Sequence, residues 1–194
     1  RGYDWDDFQK HSFHAIDEGN NLLVCAPTAS GKTTVAEYAI IKHLVAGNRV
    51  LFTSPIKTLS LEKLSEFKIL CAHLDIDPGI LTGDNKENVD SPIIIATAEI
   101  VRNSLYKLKE ESNNPENALN NDLVSKITCV VIDEAHFINT YPRGKVWEET
   151  LTLLDDSVQI VMLSATIDAP EEFADWIKRI KHRNITVVKK LIKN

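Results

Sequence analysis

A short apolar run at residues 22–25 is followed at once by Ala26-Pro27-Thr28-Ala29-Ser30-Gly31-Lys32-Thr33. The run predicts a buried strand, and the small residues after it let the backbone turn closely before a helix begins near Gly31. In such a strand–loop–helix unit the backbone N–H groups and the start of the helix point toward phosphate oxygens. The segment departs from G-x-x-x-x-G-K-[ST] only in having Ala26 at the first position. It therefore predicts a phosphate-binding loop in an α/β fold.

Residues 28–34 are predicted to bind a nucleoside triphosphate. Lys32 is expected to reach the β- and γ-phosphates and to act in catalysis, and the Thr33 hydroxyl is expected to bind Mg²⁺. The predicted phosphate contacts are Thr28, Ala29, Ser30, Gly31, Lys32, Thr33 and Thr34. The alternative is a Ser/Gly turn before a helix, with a lysine that has no part in binding.

A second apolar run at residues 129–132 ends in Asp133-Glu134-Ala135-His136. Asp133, at the end of a parallel strand, is predicted to hold Mg²⁺, and Glu134 to orient and deprotonate the attacking water. His136 has no obvious metal partner, so we expect it to couple this site to a neighbouring segment; a hydrogen-bonded loop histidine is the alternative. With the phosphate loop, this motif predicts binding and hydrolysis of a nucleoside triphosphate.

A third apolar run, residues 160–163, ends in Ser164-Ala165-Thr166. The tripeptide alone is common and carries little information. Placed one strand after Asp133-Glu134, it resembles a helicase motif, and this resemblance implies that Ser164 and Thr166 couple hydrolysis to binding of a nucleic acid through their hydroxyl groups.

The chain resembles the first RecA-like domain of the superfamily-two DExH-box helicases, and most closely the Ski-like group of RNA helicases. The matching pieces stand in family order: Phe8-Gln9, residues 26–33, TSPIKTLS at 53–60, TGD at 82–84, ATAEI at 96–100, DEAH and SAT. Two longer matches are RGKVWEE at residues 143–149 and EFADWI at 172–177. Ski-like proteins more often carry Val or Ile at the position of Ala135.

This resemblance implies further roles. Gln9 is similar to the glutamine that reads the adenine edge, and Tyr3 to the aromatic residue that stacks on the base. Trp5 and Phe8 are the alternatives for stacking, although we expect Phe8 to anchor the core. The resemblance also implies contacts to the nucleic-acid backbone by Pro55, Lys57, Ser60, Gly83, Thr97 and Glu99. Thr97 has an alternative role as the cap of a helix beginning at Ala98.

The resemblance implies ATP and Mg²⁺ as cofactors and single-stranded or partly duplex RNA as the partner, with DNA as the alternative. It also implies a second RecA-like domain in the same protein, which would supply arginines to the γ-phosphate, and an RNA-decay complex. Because this chain holds no candidate for that domain, we expect the 194-residue piece to hydrolyse ATP slowly. Intact Lys32, Thr33, Asp133 and Glu134 argue against a third possibility, a catalytically inactive nucleic-acid scaffold.

Composition fits one globular domain over residues 1–194, with 43% hydrophobic residues. No apolar stretch approaches the roughly 20 residues that span a bilayer, and no secretory leader is visible, which favours an intracellular, cytoplasmic or nuclear protein. The three cysteines lack metal-site spacing and are expected in the core. The net charge of −6 favours a local nucleic-acid groove over a broad basic surface, and the basic segment 178–194 is expected to be solvated.

Apolar runs alternate with helical stretches along the chain, which predicts a RecA-like three-layer α/β sandwich: a mostly parallel sheet with helices on both faces. The predicted strands are 22–26, 49–53, 79–82, 93–97, 128–133 and 159–164, with a last edge strand at 184–188. The predicted helices are 32–46, 57–73, 99–107, 147–154 and 170–180. Residues 110–122, rich in asparagine, predict a polar surface insertion.

Overall fold

The computed structural model describes residues 4–112, 126–140, 143–165 and 167–190. The strands in these residues are β1 (Asn21–Cys25), β2 (Arg49–Ser54), β3 (Gly79–Leu81), β4 (Lys86–Glu87), β5 (Ile93–Thr97), β6 (Ile127–Ile132), β7 (Gln159–Ser164) and β8 (Ile185–Lys189). The α-helices are α1 (Asp7–Asp17), α2 (Lys32–Val45), α3 (Lys57–Cys71), α4 (Ala98–Ser112), α5 (Arg143–Leu153) and α6 (Pro170–Lys181). Short 3-10 helices cover Ala72–Leu74 and Ala135–Asn139. None of the described helices is both long and apolar enough to cross a membrane.

The strands form one sheet in the order β4-β3-β5-β2-β6-β7-β1-β8. Neighbouring strands pair in parallel except β3 and β4, which are antiparallel. The parallel strands therefore all end at the same edge of the sheet, which is where ligands bind in open α/β sheets. The central trio β6, β7 and β1 carries the three motifs singled out in the sequence.

Helices cover both faces of this sheet. In β1, Leu22 and Val24 belong to the core cluster that includes residues of α1, α2 and α3, whereas Leu23 between them belongs to the cluster that includes residues of α4, α5 and α6. The same alternation recurs along the other central strands, because successive side chains of a strand point to opposite faces. The predicted three-layer arrangement and mostly parallel sheet are confirmed.

The predicted strands are confirmed to within one residue, including the last, which lies at the edge as β8 beside β1. The prediction missed α1, the short β4 and the 3-10 helix after Glu134, and it began α5 four residues late. It also ended α4 at residue 107, whereas the helix continues to Ser112. Lys107, Lys109 and Glu110 lie exposed on this part of the helix, so its polar composition does not mark a loop. The start of the expected polar insertion is therefore the end of α4; residues 113–125 lie outside the described part.

The missed helix α1 begins with a capping box. The Asp6 carboxylate accepts a hydrogen bond from the Phe8 backbone N–H at 3.3 Å, and the Asp6 N–H donates to Gln9 Oε1 at 2.9 Å. These reciprocal bonds satisfy N–H groups that the helix leaves free at its start. Phe8 is 3% exposed and belongs to the core, as expected. The cap fixes where α1 begins and so positions Gln9.

A half-buried histidine, His43, connects α2 with β6 and β7 at the other end of the sheet. His43 Nε2 lies 2.8 Å from Gln159 Oε1, and His43 Nδ1 lies 3.0 Å from the Thr128 hydroxyl. The Gln159 amide nitrogen donates to the carbonyls of Ile16 and Asn20. Because that nitrogen is engaged, Gln159 presents its oxygen to the ring, so Nε2 of His43 carries a proton. Burial lowers the pKa of His43, against an opposing effect of the Gln159 hydrogen bond.

This lowered pKa predicts a pH-dependent stability. The unfolded chain takes up a proton on His43 at a higher pH than the folded chain does, so the free energy of unfolding should decline as the pH falls below about 6.5. Urea unfolding at pH 7.5 and 5.5 should show a smaller decline for His43→Gln than for the wild type. The exposed His73→Gln should keep the wild-type slope. An unchanged slope in His43→Gln would exclude this histidine as the cause.

Candidate nucleotide-binding site

The loop between β1 and α2 has an unusual backbone. Ala29 and Gly31 both adopt left-handed conformations, with φ of 59° and 90°. For Ala29 this costs about 1–2 kcal/mol, because its Cβ crowds the backbone. Left-handed residues within a turn direct backbone N–H groups into a concavity that binds anions. The strain is therefore stored where the sequence predicts phosphate contacts.

Gly31 is required by two features. Its positive φ disfavours any side chain, and a Cβ built on it would lie 2.7 Å from Gln9 Nε2. Gln9 Nε2 donates a hydrogen bond to the Gly31 carbonyl at 3.1 Å. The glycine thus lets the start of α1 approach the phosphate loop closely.

Gly31→Ala should therefore damage nucleotide binding as well as stability. Gly47→Ala is the matched control, because Gly47 has φ of 75° but a Cβ built on it would have no atom of the described residues within 4 Å. Both variants should lose about 1 kcal/mol or more of unfolding free energy. Only Gly31→Ala should also lose affinity for ATP in calorimetric titrations. Equal ATP affinity in the two variants would show that the contact with Gln9 does not shape the loop.

Lys32 is the first residue of α2, and its ammonium contacts the loop that precedes the helix. Its Nζ donates to the carbonyls of Ala26 and Pro27, the latter at 3.1 Å. Burial lowers the pKa of Lys32, and the negative charges of Glu134 and Asp133 oppose this effect. An ammonium has three N–H donors, so one remains for a ligand. The buried Ser30 hydroxyl in the same loop has no hydrogen-bond partner among the described residues. A free donor and a buried, unpartnered hydroxyl fit a phosphate ligand.

The carboxylates Asp133 and Glu134 follow β6 directly. The Asp133 backbone N–H donates to the Thr53 carbonyl at 3.0 Å, and Asp133 Oδ1 accepts from the Glu134 N–H at 2.9 Å. Glu134 is left-handed, with φ of 51°. Burial raises the pKa of Asp133, and the neighbouring charge of Glu134 raises it further. The charge of Lys32 acts on Asp133 in the opposite direction, so the structure brings the two motifs into electrostatic reach.

These donors suit Mg²⁺, which prefers oxygen ligands and retains several waters. Asp133 supplies a partly buried carboxylate, whose pKa burial raises although the charges of Lys63 and Lys32 oppose this. Thr33 supplies an exposed hydroxyl in the first turn of α2. The predicted metal residues therefore fit a divalent cation.

Lys63 of α3, which has no predicted role in the sequence, also acts on Asp133. Its side chain is 15% exposed and forms an ion pair with Glu66 at 2.6 Å. Its positive charge lowers the pKa of Asp133 and that of Glu37, against the stronger effect of burial on each. No local pattern marks this lysine, because its approach to Asp133 depends on how α3 packs on the sheet.

Of the three predicted coupling residues, His136 lies beside Glu134. His136 Nδ1 is 3.2 Å from Glu134 Oε2, in a contact that lacks hydrogen-bond geometry, and its ring is tilted against Phe137. Ser164 ends β7 in register with Cys25 of β1, and its buried hydroxyl has no partner among the described residues. Thr166 lies outside the described residues. The structure thus places His136 beside the predicted water-activating carboxylate.

The segment RGKVWEE, at the start of α5, packs against the 3-10 helix that follows Glu134. The Gly144 N–H donates to the Thr140 carbonyl at 2.7 Å, and a Cβ on Gly144 would lie 2.0 Å from the Ile138 carbonyl oxygen. Trp147 is 2% exposed in the core, and Glu149 pairs with Arg102 of α4 at 3.4 Å. The glycine and tryptophan therefore have packing roles that hold the 3-10 helix Ala135–Asn139.

A cavity of about 1000 Å³ lies between the start of α1 and the phosphate loop. Gln9, Thr28, Ser30 and Lys190 are among the residues that line it. The Gln9 amide oxygen already accepts from Asp6 and its nitrogen donates to Gly31, which leaves one lone pair and one N–H. Those two groups are what an adenine edge needs. Trp5, 39% exposed, also lines the cavity, whereas Tyr3 lies outside the described residues.

The predicted nucleic-acid residues occupy the adjoining part of the same sheet edge, after β2, β3 and β5. Lys57 is half-exposed and pairs with Asp84, and Gly83 and Glu99 are exposed. Pro55 is buried, and Ser60 is fully buried with its hydroxyl 2.8 Å from that of Ser54. Thr97 ends β5 directly before α4, which begins at Ala98 as expected. In this structure Ser60 supports the loop, and its contact with nucleic acid stays a prediction.

Comparison with known proteins identifies the family. The model of the DEAD/DEAH box helicase family matches residues 6–173. The chain belongs to this family. Its relatives include the antiviral helicase SKI2 of Saccharomyces cerevisiae, 38% identical over 96% of this chain and 13% of that protein. The human Superkiller complex protein 2 is 40% identical over 94% of this chain and 13% of its own length. These similarities confirm the resemblance to Ski-like DExH-box helicases.

The family's fold agrees with the one described above. The DNA-bound helicase MrfA superposes with a TM-score of 0.74 at 20% identity, covering 96% of this chain and 27% of that one. Together with the family match, this likeness confirms the RecA-like helicase fold. The chain spans less than a fifth of the length of relatives such as the RNA helicase DExH11 of Arabidopsis thaliana, of which it covers 12% at 37% identity.

Proposed function

We propose that this chain is the ATP-binding first RecA-like domain of an ATP-dependent RNA helicase. The observation that carries the proposal is that the parallel strands β1 and β6 bring the loop of Lys32 and the carboxylates of Asp133 and Glu134 to one edge of the sheet, beside a cavity lined by Gln9. Burial lowers the pKa of Lys32, and the charges of both carboxylates raise it against this stronger effect. Hydrolysis in the whole protein would drive translocation on RNA and its unwinding.

In this proposal the residues divide the work of binding and hydrolysis. The loop from Thr28 to Thr34 holds the phosphates, Lys32 contacts the β- and γ-phosphates, and Gln9 binds the adenine edge with its remaining N–H and lone pair. Thr33 and Asp133 hold Mg²⁺, which neutralises charge on the phosphate oxygens when it is bound. Glu134 orients the attacking water and accepts its proton. His136, whose Nδ1 lies 3.2 Å from Glu134 Oε2, orients Glu134 or couples ATP hydrolysis at this site to the neighbouring domain.

Binding of RNA would use the adjoining half of the sheet edge. Lys57 and the exposed backbone at Gly83 suit contacts to phosphates, which do not read sequence. Pro55, Ser60, Thr97 and Glu99 complete this set, and Ser164 and Thr166 link it to the nucleotide. A second RecA-like domain would close the cleft and supply arginines, typically worth about 10³–10⁵ in rate. The isolated chain should therefore turn over ATP slowly.

The choice of RNA over DNA rests on the relatives. DExH11, 37% identical over 95% of this chain, is an RNA helicase by name, and the human relative is a component of a Superkiller complex. By analogy we propose an intracellular RNA-decay complex as the setting. The likeness to DNA-bound MrfA is at 20% identity and bears on the fold alone.

ATPase assays on the full-length protein test the proposal. Single-stranded RNA and DNA of equal sequence are added in turn, with Glu134→Gln as the inactive control. RNA should stimulate turnover more than DNA does. Stimulation by DNA alone would indicate a DNA helicase of the same superfamily. Binding of ATP and RNA without any turnover would indicate a nucleic-acid scaffold.

A further inference from the structure

Lys190 stands where the last strand reaches the nucleotide site. It follows β8 directly, and its backbone N–H donates to the carbonyl of Cys25 at 2.9 Å, just before the phosphate loop. Its side chain lines the cavity between α1 and that loop. Because the basic segment 178–194 was expected to be solvated, this position of Lys190 was not predicted.

The Lys190 ammonium bridges the two walls of that cavity. Its Nζ lies 2.7 Å from Asp6 Oδ2, at the cap of α1, and 4.9 Å from the centre of the Phe8 ring. On the opposite wall the same Nζ donates to the carbonyl of Ser30 at 3.5 Å. One cation therefore connects the start of the helix that carries Gln9 with the loop predicted to hold the phosphates.

On the α1 side, the Lys190 ammonium contacts a carboxylate and an aromatic ring, and both groups attract a cation. The hydrogen bond from Lys190 is the largest influence on the pKa of Asp6, which it lowers. Asp6 also caps α1, and Gln9 accepts a hydrogen bond from its N–H. A shift of the Asp6–Lys190 pair would thus move the residue predicted to read the base.

We infer that Lys190 is a positioning residue that fixes the base-binding wall against the phosphate loop, so that a ligand spanning both binds more tightly. This inference rests on the proposed function. It predicts that Lys190 matters for ATP, which would contact both walls, and matters little for inorganic tripolyphosphate, which would occupy the loop alone.

The test compares these two ligands on the full-length protein. Calorimetry with Mg²⁺ and either a non-hydrolysable ATP analogue or tripolyphosphate should show about a fivefold loss of affinity for the analogue in Lys190→Met, the size of a partly exposed ion pair. Affinity for tripolyphosphate should stay within about twofold of the wild type. Lys190→Arg should restore binding of the analogue.

Two further variants separate positioning from folding. Asp6→Asn retains a capping side chain but loses the charge, so it should show the same selective loss as Lys190→Met. Lys42→Met is the matched control, because Lys42 pairs with Asp17 at 2.9 Å and donates to the Ile16 carbonyl at the far end of α1. It should change neither affinity, and thermal unfolding should show that all variants are folded.

The outcomes separate this inference from the proposed function. Unchanged affinity of Lys190→Met for the analogue would overturn the inference alone, and so would equal losses for the analogue and tripolyphosphate. A wild-type protein that binds neither ligand would overturn the proposed function, and the inference with it.

Discussion

Replacing Glu134 with glutamine in the full-length protein should lower ATP turnover by about 10²–10⁴, the usual contribution of a general base. The amide keeps the size of the side chain but cannot accept the proton of the attacking water. Because Glu134 is not expected to contact the phosphates, ATP should bind Glu134→Gln as tightly as the wild type. Steady-state turnover and calorimetric affinity measure the two effects separately.

Glu18→Gln provides the matched control for this substitution. It is the same chemical change at an exposed position at the end of α1. Turnover should be unaffected there. Near-normal turnover in Glu134→Gln would instead show that another group activates the water.

Replacing Lys32 with alanine should weaken ATP binding itself, by about 10- to 100-fold. This is the range expected for a hydrogen bond to a charged group worth about 1.5–3 kcal/mol. The change removes the contact to the phosphates and also the bonds from Nζ to the carbonyls of Ala26 and Pro27. Titration with a non-hydrolysable ATP analogue measures the loss.

Lys68→Ala, at an exposed position of α3, should leave this affinity unchanged. An unaltered affinity in Lys32→Ala would contradict the phosphate contact. A change confined to turnover would assign Lys32 to the transition state alone.

The central strands and the two main motifs could be predicted because their signals are local. Strands buried on both faces are continuous apolar runs, and parallel strands bring their ends to one edge, so Lys32 and Asp133 meet although about a hundred positions separate them. Gly31 could also be predicted from the motif, but its contact with Gln9 could not, because that contact depends on how α1 packs against the loop. Helix α1 was missed because the capping box formed by Asp6 and Gln9 was not recognised in the sequence.

Residues whose roles depend on tertiary packing could not be predicted from local patterns. Lys181 and Lys190 both belong to a segment expected to be solvated. Lys181 is 1% exposed, with its Nζ bonded to the Leu154 carbonyl, whereas Lys190 reaches a loop 160 positions earlier in the chain. Ser60 likewise belongs to a motif that predicts contact with nucleic acid. The packing of α3 instead buries its hydroxyl against that of Ser54.

A crystal structure with a non-hydrolysable ATP analogue and Mg²⁺ tests the central claim most directly. We expect the triphosphate between the loop of Lys32 and the carboxylates of Asp133 and Glu134, the metal near Thr33 and Asp133, and the adenine beside Gln9. A nucleotide bound elsewhere on the sheet, or a triphosphate remote from Asp133 and Glu134, would contradict the account.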